Sequence, residues 1–410
     1  MVVGALPLAM GGFPKYEIAL LGAPDWPGPV QGFNVSLLDL IILSIYLILP
    51  RSRTTLPFKY PFFLYIFVTF LSAFYAPTPM AALYYGWQLL RMFLVYAVVA
   101  RLCEDPRHTV YILRGLALGL CVQAGFVLWQ RFVVHYLHVT GTYSHQNALG
   151  FVTHFVVFPF FALLLAGQKK WEFAAVPILG IAIDILTASR ASLGLAGAGL
   201  SILLLFSISR RMTARKTQII AVGIFVLALL SPLAYRQYEL RYGAAGETFQ
   251  LEAGGGRTEL NNAAALILSE SPLGIGANNF VMVANVRGYY ERADVGITNR
   301  KTSPHSLYWT TAAEMGYSGL IALIVFLLRP LLVAFSCAWR NRNDPRGDLL
   351  LGLGMSLVIV YVHCFLEWIF LSDLIQYAFI INVGIIAGVA RQLGYWSKAG
   401  VLPKPSLQRS

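Results

Sequence analysis

Residues 191–209 read ASLGLAGAGLSILLLFSIS, an uncharged stretch bounded by Arg190 and Arg210. An apolar run of about 20 residues is long enough to cross a hydrocarbon core of about 30 Å as a helix. Inside a bilayer every backbone polar group must find an internal hydrogen-bond partner, and a run this long and uniform is atypical of a barrel strand. The stretch therefore predicts a transmembrane helix.

Similar runs recur along the whole chain. Of its 410 residues 57% are hydrophobic and only 12% are charged, about half the charged fraction of an ordinary soluble protein. The pattern predicts an all-α polytopic membrane protein with about 12 transmembrane helices. The predicted spans cover residues 1–20, 35–50, 58–75, 80–100, 109–130, 148–166, 172–188, 191–209, 218–234, 317–339, 348–370 and 373–391.

These spans divide the chain into four parts. Nine spans occupy residues 1–234, a large polar loop occupies 235–316, three spans occupy 317–391, and a basic, disordered tail occupies 392–410. The first span is interrupted by Pro7, Gly11, Gly12 and Pro14, which are residues that break helices.

The distribution of Lys and Arg predicts the orientation of the helices. With the N-terminus in the cytoplasm, every predicted inner segment carries at least two basic residues, whereas the short outer loops hold only Lys15, Arg131 and Arg190. Both termini are then cytoplasmic, and the large loop faces outward. The net charge of +12 therefore reflects membrane topology and does not indicate a nucleic-acid partner. The start of the chain lacks the basic region of a cleavable signal peptide.

Cysteine usage and known motifs exclude several kinds of chemistry. Cys103, Cys121, Cys337 and Cys364 fall in predicted spans or at their cytoplasmic ends and lack metal-ligand spacing, so we expect neither a disulfide nor a metal site. No Walker A loop or His-Glu-x-x-His motif is present. We expect no cofactor.

The large loop contains one recognisable helix. The segment Arg257–Ser269 has Leu260, Ala264 and Leu268 at helical spacing. Ser271-Pro272 ends that helix, and the glycines and asparagines of Gly274–Phe280 predict a tight turn. Shaping the chain is the expected role of this turn, although Asn279 within it is also a candidate for contacting a substrate.

Two arginines on the outer side are candidates for anion binding. Arg190 lies in a very short outer loop, where basic residues are disfavoured. Arg257 opens the loop helix, where a cation opposes the helix dipole unless an anion compensates. A snorkelling side chain and a solvated surface arginine, respectively, are the alternatives.

Histidines near the outer face are the candidates for acid–base chemistry. His305, in Ser303-Pro-His-Ser-Leu307, is a candidate general base, with helix capping as the alternative. His145 and Asn147 precede the sixth span and either bind sugar hydroxyls or cap that helix, with Asn147 as the expected cap.

Some charged residues lie within the predicted spans. A charge inside the membrane points to function or to a partner. Glu367 lies near the outer end of its predicted span and is a further candidate for contacting a substrate. Asp184 is placed to pair with an arginine of the outer half, and Arg91 is the deepest basic residue, whose partner the sequence does not identify.

Several of these motifs, in this order, resemble the O-antigen ligase and polymerase superfamily. The position of the large outer loop before the last three spans matches as well. The motifs that carry the resemblance are Gly141-Thr-Tyr-Ser-His-Gln-Asn-Ala-Leu-Gly150, Ser189-Arg-Ala-Ser192, Arg257, Ser271-Pro-Leu-Gly-Ile-Gly-Ala-Asn-Asn-Phe280, Pro304-His-Ser-Leu-Tyr308 and Glu314-Met-Gly-Tyr-Ser-Gly319.

Within that superfamily the sequence looks most like the lipopolysaccharide O-antigen ligases. The resemblance implies a GT-C-like glycosyltransferase of the bacterial inner membrane with its active site facing the periplasm. Such an enzyme moves O-antigen from undecaprenyl pyrophosphate to lipid A–core, with inversion and without metal or ATP. It further implies that Arg190 and Arg257 bind the pyrophosphate and that His305 is the catalytic base.

The sequence departs from the family pattern at two positions. Gln146 stands where the family often has Pro before the Asn, and Ser306 stands where it often has Asn after the His. A specific role is therefore not carried over to either position.

Other functions remain open at this point. An O-antigen polymerase and a protein O-oligosaccharyltransferase use the same lipid-linked donor. A secondary transporter is a more distant alternative, because no internal repeat is visible. The base is either His305 or a carboxylate, Glu314 or Glu367.

Overall fold

The computed structural model describes residues 1–12, 16–50, 55–136, 138–210, 212–242 and 256–396. One two-stranded antiparallel sheet accompanies the helices in this part of the chain. In chain order the elements are α1 (Val2–Ala9), β1 (Glu17–Gly22), β2 (Gly32–Ser36), α2 (Leu37–Ile48), α3 (Lys59–Ser72), α4 (Pro79–Leu102), α5 (Pro106–Phe132), α6 (Gln146–Leu165), α7 (Glu172–Thr187), α8 (Arg190–Arg210), α9 (Ala214–Tyr242), α10 (Arg257–Glu270), α11 (Phe280–Val286), α12 (Tyr289–Arg292), α13 (Leu307–Arg340), α14 (Pro345–His363) and α15 (Asp373–Gln392).

Seven of the described helices are long and apolar enough to cross a membrane, which makes the chain a polytopic membrane protein. They are α4, α5, α6, α8, α13, α14 and α15. The apolar helices α2 and α3, predicted as full spans, are shorter than these. At about 1.5 Å per residue, the 12 residues of α2 extend about 18 Å, which is less than a hydrocarbon core of about 30 Å.

Helix α15 forms the centre of the bundle, because its residues from Leu374 to Ala390 are all buried. It packs against α4 through glycines. A Cβ atom at Gly384 would lie 2.6 Å from Val99 Cγ1, and one at Gly388 would lie 2.4 Å from Cys103 Cβ. Small residues let the two helix backbones approach closely, as is common within membranes.

The predicted transmembrane helix over residues 1–20 is wrong. Helix α1 ends at Ala9 and is followed by a short 3-10 turn over Met10–Gly12, and a strand begins at Glu17. The paired glycines that end the helix explain the break. An eight-residue helix extends about 12 Å and cannot cross a bilayer alone.

The hairpin of β1 and β2 was also not predicted, so the all-α class holds for the bundle but not for every element. The strands pair with Glu17 opposite Ser36 and Gly22 opposite Gly32. Pro24, Pro27 and Pro29 lie in the connection, which is a composition typical of loops.

The partners of Arg91 are acidic and phenolic groups on two neighbouring helices. Its Nε atom lies 2.7 Å from Asp39 Oδ2 on α2, and its Nη2 atom donates to the hydroxyl of Tyr377 on α15. Tyr377 in turn donates to Asp39 Oδ1 at 2.7 Å. A buried arginine needs a charged partner such as Asp39. The contacts among Arg91, Asp39 and Tyr377 connect α2, α4 and α15.

The boundaries of the large polar loop differ from the prediction. Helix α9 continues to Tyr242, past the predicted end of its span, and α13 already begins at Leu307. The predicted boundary at 316 coincides instead with a kink inside α13, where Gly316 has φ 65° and ψ −164°. Residues 243–255 of the predicted loop and 397–410 of the predicted tail lie outside the described residues.

The predicted loop helix and the turn after it are confirmed. Helix α10 spans Arg257–Glu270 and buries Leu260, Ala264 and Leu268. In the turn, Gly274 has φ 87° and Asn278 has φ 60°, which is the left-handed region that favours glycine and asparagine.

Glu314 holds this turn against the kink of α13. Its carboxylate accepts the backbone N–H groups of Asn278 at 2.7 Å and Phe280 at 3.1 Å. The amide of Asn278 also bonds the backbone of Val30 in the hairpin connection. The loop domain is thereby tied to the bundle and to the hairpin at one place.

We predict that Gly316→Ala destabilises the protein. The ψ and positive φ of Gly316 belong to a region that essentially only glycine adopts, at a cost of about 1–3 kcal/mol for other residues. An added Cβ would also lie 2.2 Å from the carbonyl oxygen of Pro272. The melting temperature in detergent should fall clearly. Gly194→Ala, where an added Cβ meets no atom within 4 Å, is the control and should leave it unchanged. Equal melting temperatures for the two variants would contradict the strain argument.

Candidate functional site

Three polar side chains from distant parts of the sequence meet at the carboxylate of Glu367. Its Oε1 atom accepts hydrogen bonds from Asn147 Nδ2 at 2.7 Å and from Arg257 Nη2 at 3.2 Å. Its Oε2 atom lies 3.3 Å from His305 Nδ1. We call Asn147, Arg257, His305 and Glu367 the Glu367 cluster. Four of the residues singled out from the sequence are thus brought together.

The sequence predicted that Glu367 lies inside a membrane span, but the structure places it in the connection between α14 and α15. Helix α14 ends at His363, and the backbone N–H of Leu366 bonds the carbonyl of His363 in the turn that follows. Glu367 follows that turn, ahead of a 3-10 turn over Ile369–Leu371. Although it lies in a connection, it is only 3% exposed. A buried carboxylate is costly unless it is paired, and the cluster supplies its partners.

His145, rather than Asn147, caps helix α6. The Nδ1 atom of His145 accepts the backbone N–H of Asn147 at 3.2 Å. The predicted cap at Asn147 is therefore wrong, and the Asn147 side chain donates a hydrogen bond to Glu367 instead. An imidazole nitrogen accepts this hydrogen bond in the same way as a capping oxygen does.

Arg257 and His305 reach Glu367 from the loop domain. Arg257 is the first residue of α10, and its side chain is 49% exposed. His305 precedes α13, but Ser306 is the cap of that helix, because its Oγ atom accepts the N–H of Trp309. The capping alternative for His305 is therefore wrong. The imidazole, 30% exposed, faces both Glu367 and the cavity described below.

The electrostatics of the cluster favour an ionised Glu367. Burial acts to raise the pKa of Glu367. The hydrogen bonds from His305 and Asn147 and the charge of Arg257 act in the opposite direction, and the pKa lies below its usual value. The carboxylate is consequently a charged partner at neutral pH and a poor proton acceptor.

A cavity of about 610 Å³ opens beside the cluster. His145, His305 and Glu367 line it together with aromatic rings and hydroxyl groups. The aromatic residues are Tyr16, Tyr143 and Trp368, and the hydroxyl residues include Thr142, Ser144, Thr302 and Ser372. Mixed aromatic and hydroxyl walls of this size suit a ligand with both apolar faces and many hydroxyl groups.

The residues Tyr16 and Trp368 were not identified from the sequence. Tyr16 lies directly before β1, a strand that hydropathy did not reveal, and Trp368 follows Glu367 in a segment that resembled the end of a span. The signal that was available is the enrichment of Trp and Tyr at membrane surfaces, but that signal does not distinguish a binding wall from an anchor.

Arg190 lies at the same end of the bundle as the cluster. It is the first residue of α8, and Ser192 packs against Gly150 in the first turns of α6, where an added Cβ would lie 2.3 Å from Ser192 Oγ. Asp184, which the sequence suggested as a partner of an arginine, accepts hydrogen bonds from Thr153 Oγ1 at 2.9 and 3.1 Å. The contact of Ser192 places the start of α8 beside that of α6, and Asp184 ties the end of α7 to α6.

Asn279 and Glu314 are not among the residues that line the cavity. Asn279 is fully buried, and its amide bonds the backbone of Thr78 and Ala277. Both side chains shape the turn over residues 271–280. The structure therefore gives Asn279 hydrogen bonds within and beside this turn, and the substrate contact of Asn279 stays a prediction.

Comparison with known proteins gives one family match. A family model described as O-Antigen ligase matches residues 174–324. This region includes Arg190, Arg257 and His305, while Asn147 and Glu367 lie on either side of it. No curated protein matches the chain.

The lowered pKa of Glu367 predicts how acid affects stability. A carboxylate whose folded pKa is depressed stabilises the fold above the unfolded pKa, and this contribution is lost as the pH falls through the folded value. At pH 7 the wild type should therefore melt at a higher temperature than Glu367→Gln. The difference between the two melting temperatures should disappear as the pH falls below 4.5, the ordinary pKa of a glutamate.

Thermal unfolding in detergent from pH 7 down to pH 3 measures this difference. Asp25→Asn, which changes an exposed carboxylate in the hairpin connection, is the control and should differ little from the wild type at any of these pH values. A gap for Glu367→Gln that stays constant down to pH 3 would show that the charge of Glu367 is not what stabilises the cluster.

Proposed function

Since the chain belongs to the O-antigen ligase/polymerase superfamily, we propose that it is an O-antigen ligase. In this proposal it is an inverting, metal-independent glycosyltransferase that moves O-antigen polysaccharide from undecaprenyl pyrophosphate to lipid A–core oligosaccharide. Ligase- or polymerase-type glycosyl transfer follows from the family alone. The observation that carries the finer proposal is the Glu367 cluster, which holds a histidine and an arginine together beside a cavity of sugar-binding character.

His305 is the proposed general base. Its Nδ1 atom faces the ionised Glu367, so that a proton on Nδ1 is favoured and Nε2 is left to accept a proton from the acceptor hydroxyl. The lowered pKa of Glu367 argues against the carboxylate as the base. The carboxylate of Glu314 is already occupied by two backbone N–H groups. Glu367 is then a positioning residue.

The reaction needs help chiefly at the leaving group. The acceptor oxygen forms a bond to the anomeric carbon while the bond from that carbon to the phosphate oxygen breaks, and the electron pair leaves with undecaprenyl pyrophosphate. Positive charge near the phosphates stabilises this developing charge. Arg257 and Arg190 are the proposed pyrophosphate ligands, because a guanidinium fork matches phosphate oxygens and remains charged at every relevant pH.

The proposed active site faces the periplasm. Arg107, Arg210, Arg340 and Arg391 lie at the end of the bundle opposite the Glu367 cluster, at the start of α5 and at the ends of α8, α13 and α15. Because short cytoplasmic segments are rich in Lys and Arg, this arrangement supports an inner-membrane protein with the cluster on the periplasmic side and the C-terminus in the cytoplasm.

The decisive experiment is glycan transfer by the purified protein with undecaprenyl-pyrophosphate O-antigen and lipid A–core, with a chelator and without nucleotide. We expect full lipopolysaccharide to form. His305→Ala should lower the rate by about 10²–10⁴-fold, which is the usual contribution of a positioned base. His108→Ala changes an exposed histidine at the opposite end and should transfer normally.

Two other outcomes would overturn parts of this proposal. Longer lipid-linked chains in place of lipopolysaccharide would make the protein an O-antigen polymerase. Full activity of a folded His305→Ala variant would remove the histidine as the base.

The role of the arginines is tested by Arg190→Ala and Arg257→Ala in the same assay. Each should lower transfer by about 10²–10³-fold, as does the loss of one stabilising donor at a developing charge. Arg257→Lys should retain part of the activity, because the charge remains and the fork is lost. Arg287→Ala, an exposed arginine of the same loop domain, is the matched control. Normal transfer by a folded Arg190→Ala or Arg257→Ala variant would show that the substituted arginine is not a pyrophosphate ligand.

A further inference from the structure

A second cavity, of about 430 Å³, lies at the end of the bundle opposite the Glu367 cluster. Most of its wall comes from the last turns of α8 and α13, with Phe206 and Arg210 on one side and Phe335, Ser336, Trp339 and Arg340 on the other, and Leu351 of α14 completes it. We call it the α8–α13 groove. None of these residues belongs to the proposed catalytic site, and the groove requires an explanation of its own.

The charged part of the groove is only partly neutralised. Arg210 Nη1 lies 3.2 Å from Asp348 Oδ1, which fixes the side chain in place. The guanidinium of Arg340 lies over the ring of Tyr395, 5.4 Å from its centroid, and has no carboxylate partner among the described residues. Two other arginines at this end are paired, Arg346 with Asp344 and Arg391 with Glu104. The groove thus retains the positive charge of Arg340.

The apolar part of the groove faces the membrane. Trp339 is 62% exposed and Phe206 is 44% exposed, on helices long and apolar enough to span the bilayer. Isolated arginines at helix ends are explained by snorkelling alone. Two arginines from separate helices, with a hydroxyl and aromatic rings around one cavity, form a shaped site instead.

We propose that the α8–α13 groove binds an anionic phospholipid of the leaflet opposite the Glu367 cluster. Arg210, Arg340 and the Ser336 hydroxyl bind the phosphate, and the rings of Phe206, Phe335 and Trp339 pack along the glycerol and the upper acyl chains. The charge of the groove selects an anionic headgroup over a zwitterionic one. This inference does not depend on the proposed glycosyl transfer.

The test is lipid retention by the full-length protein, taken from nanodiscs of equal phosphatidylglycerol and phosphatidylcholine and measured by native mass spectrometry. The wild type should retain phosphatidylglycerol in preference. Arg340→Gln should lower this retention about fivefold, which corresponds to about 1 kcal/mol for one basic residue near an anionic lipid. Arg340→Lys should keep most of the preference, because the charge remains.

Arg107→Gln is the matched control, since it removes the same charge from an exposed side chain at the same end, away from the groove. It should retain phosphatidylglycerol as the wild type does. Trp339→Ala should lower the retention of both lipids, because the apolar wall is lost. Equal retention by the wild type and Arg340→Gln, or an equal loss with Arg107→Gln, would overturn the proposal by showing that only the general charge of this face attracts the lipid.

Discussion

The arrangement of the site depends on one buried negative charge. The carboxylate of Glu367 is almost inaccessible to water, and a charge in such surroundings is tolerated only with close partners. Asn147, Arg257 and His305 supply these from the start of α6, the start of α10 and the approach to α13. Because these positions lie 62 to 220 residues from Glu367 along the chain, the carboxylate determines how the loop domain is seated on the bundle.

A second carboxylate makes that seating rigid. Glu314 lies just before the kink at Gly316, and it holds the turn that leads from α10 to α11 through the backbone of Asn278 and Phe280. The two glycines, Gly274 and Gly316, approach each other so closely that a side chain at either would meet the backbone of the other segment. A base and an anion ligand must be held within a fraction of an ångström of productive geometry. The contacts of Glu314 and of the two glycines meet this need, because they tie α13, which follows His305, to the segment that follows α10.

The sequence predicted features with a local cause and missed those with a distant one. The amphipathic helix at Arg257 and the turn at Gly274 follow from spacing and backbone preference, and both are confirmed. Hydropathy is averaged over a window, so Glu367 was assigned to the same predicted span as its apolar neighbours. For the same reason a single helix was predicted over residues 1–20, where α1 ends at Ala9 and a hairpin follows. The partners of Arg91 and of Glu367 come from far along the chain, and no local pattern in one sequence encodes such pairs.

The same cluster resolves an electrostatic conflict in the proposed reaction. A free carboxylate beside a pyrophosphate would repel the donor, yet a histidine needs a carboxylate to hold its ring and its proton in place. Arg257 meets both requirements, because it neutralises Glu367 through Nη2 and a guanidinium has further N–H donors to offer to phosphate oxygens. The half-exposed position of Arg257 beside the buried Glu367 fits this double role. The contact between them therefore preorganises the proposed anion site instead of blocking it.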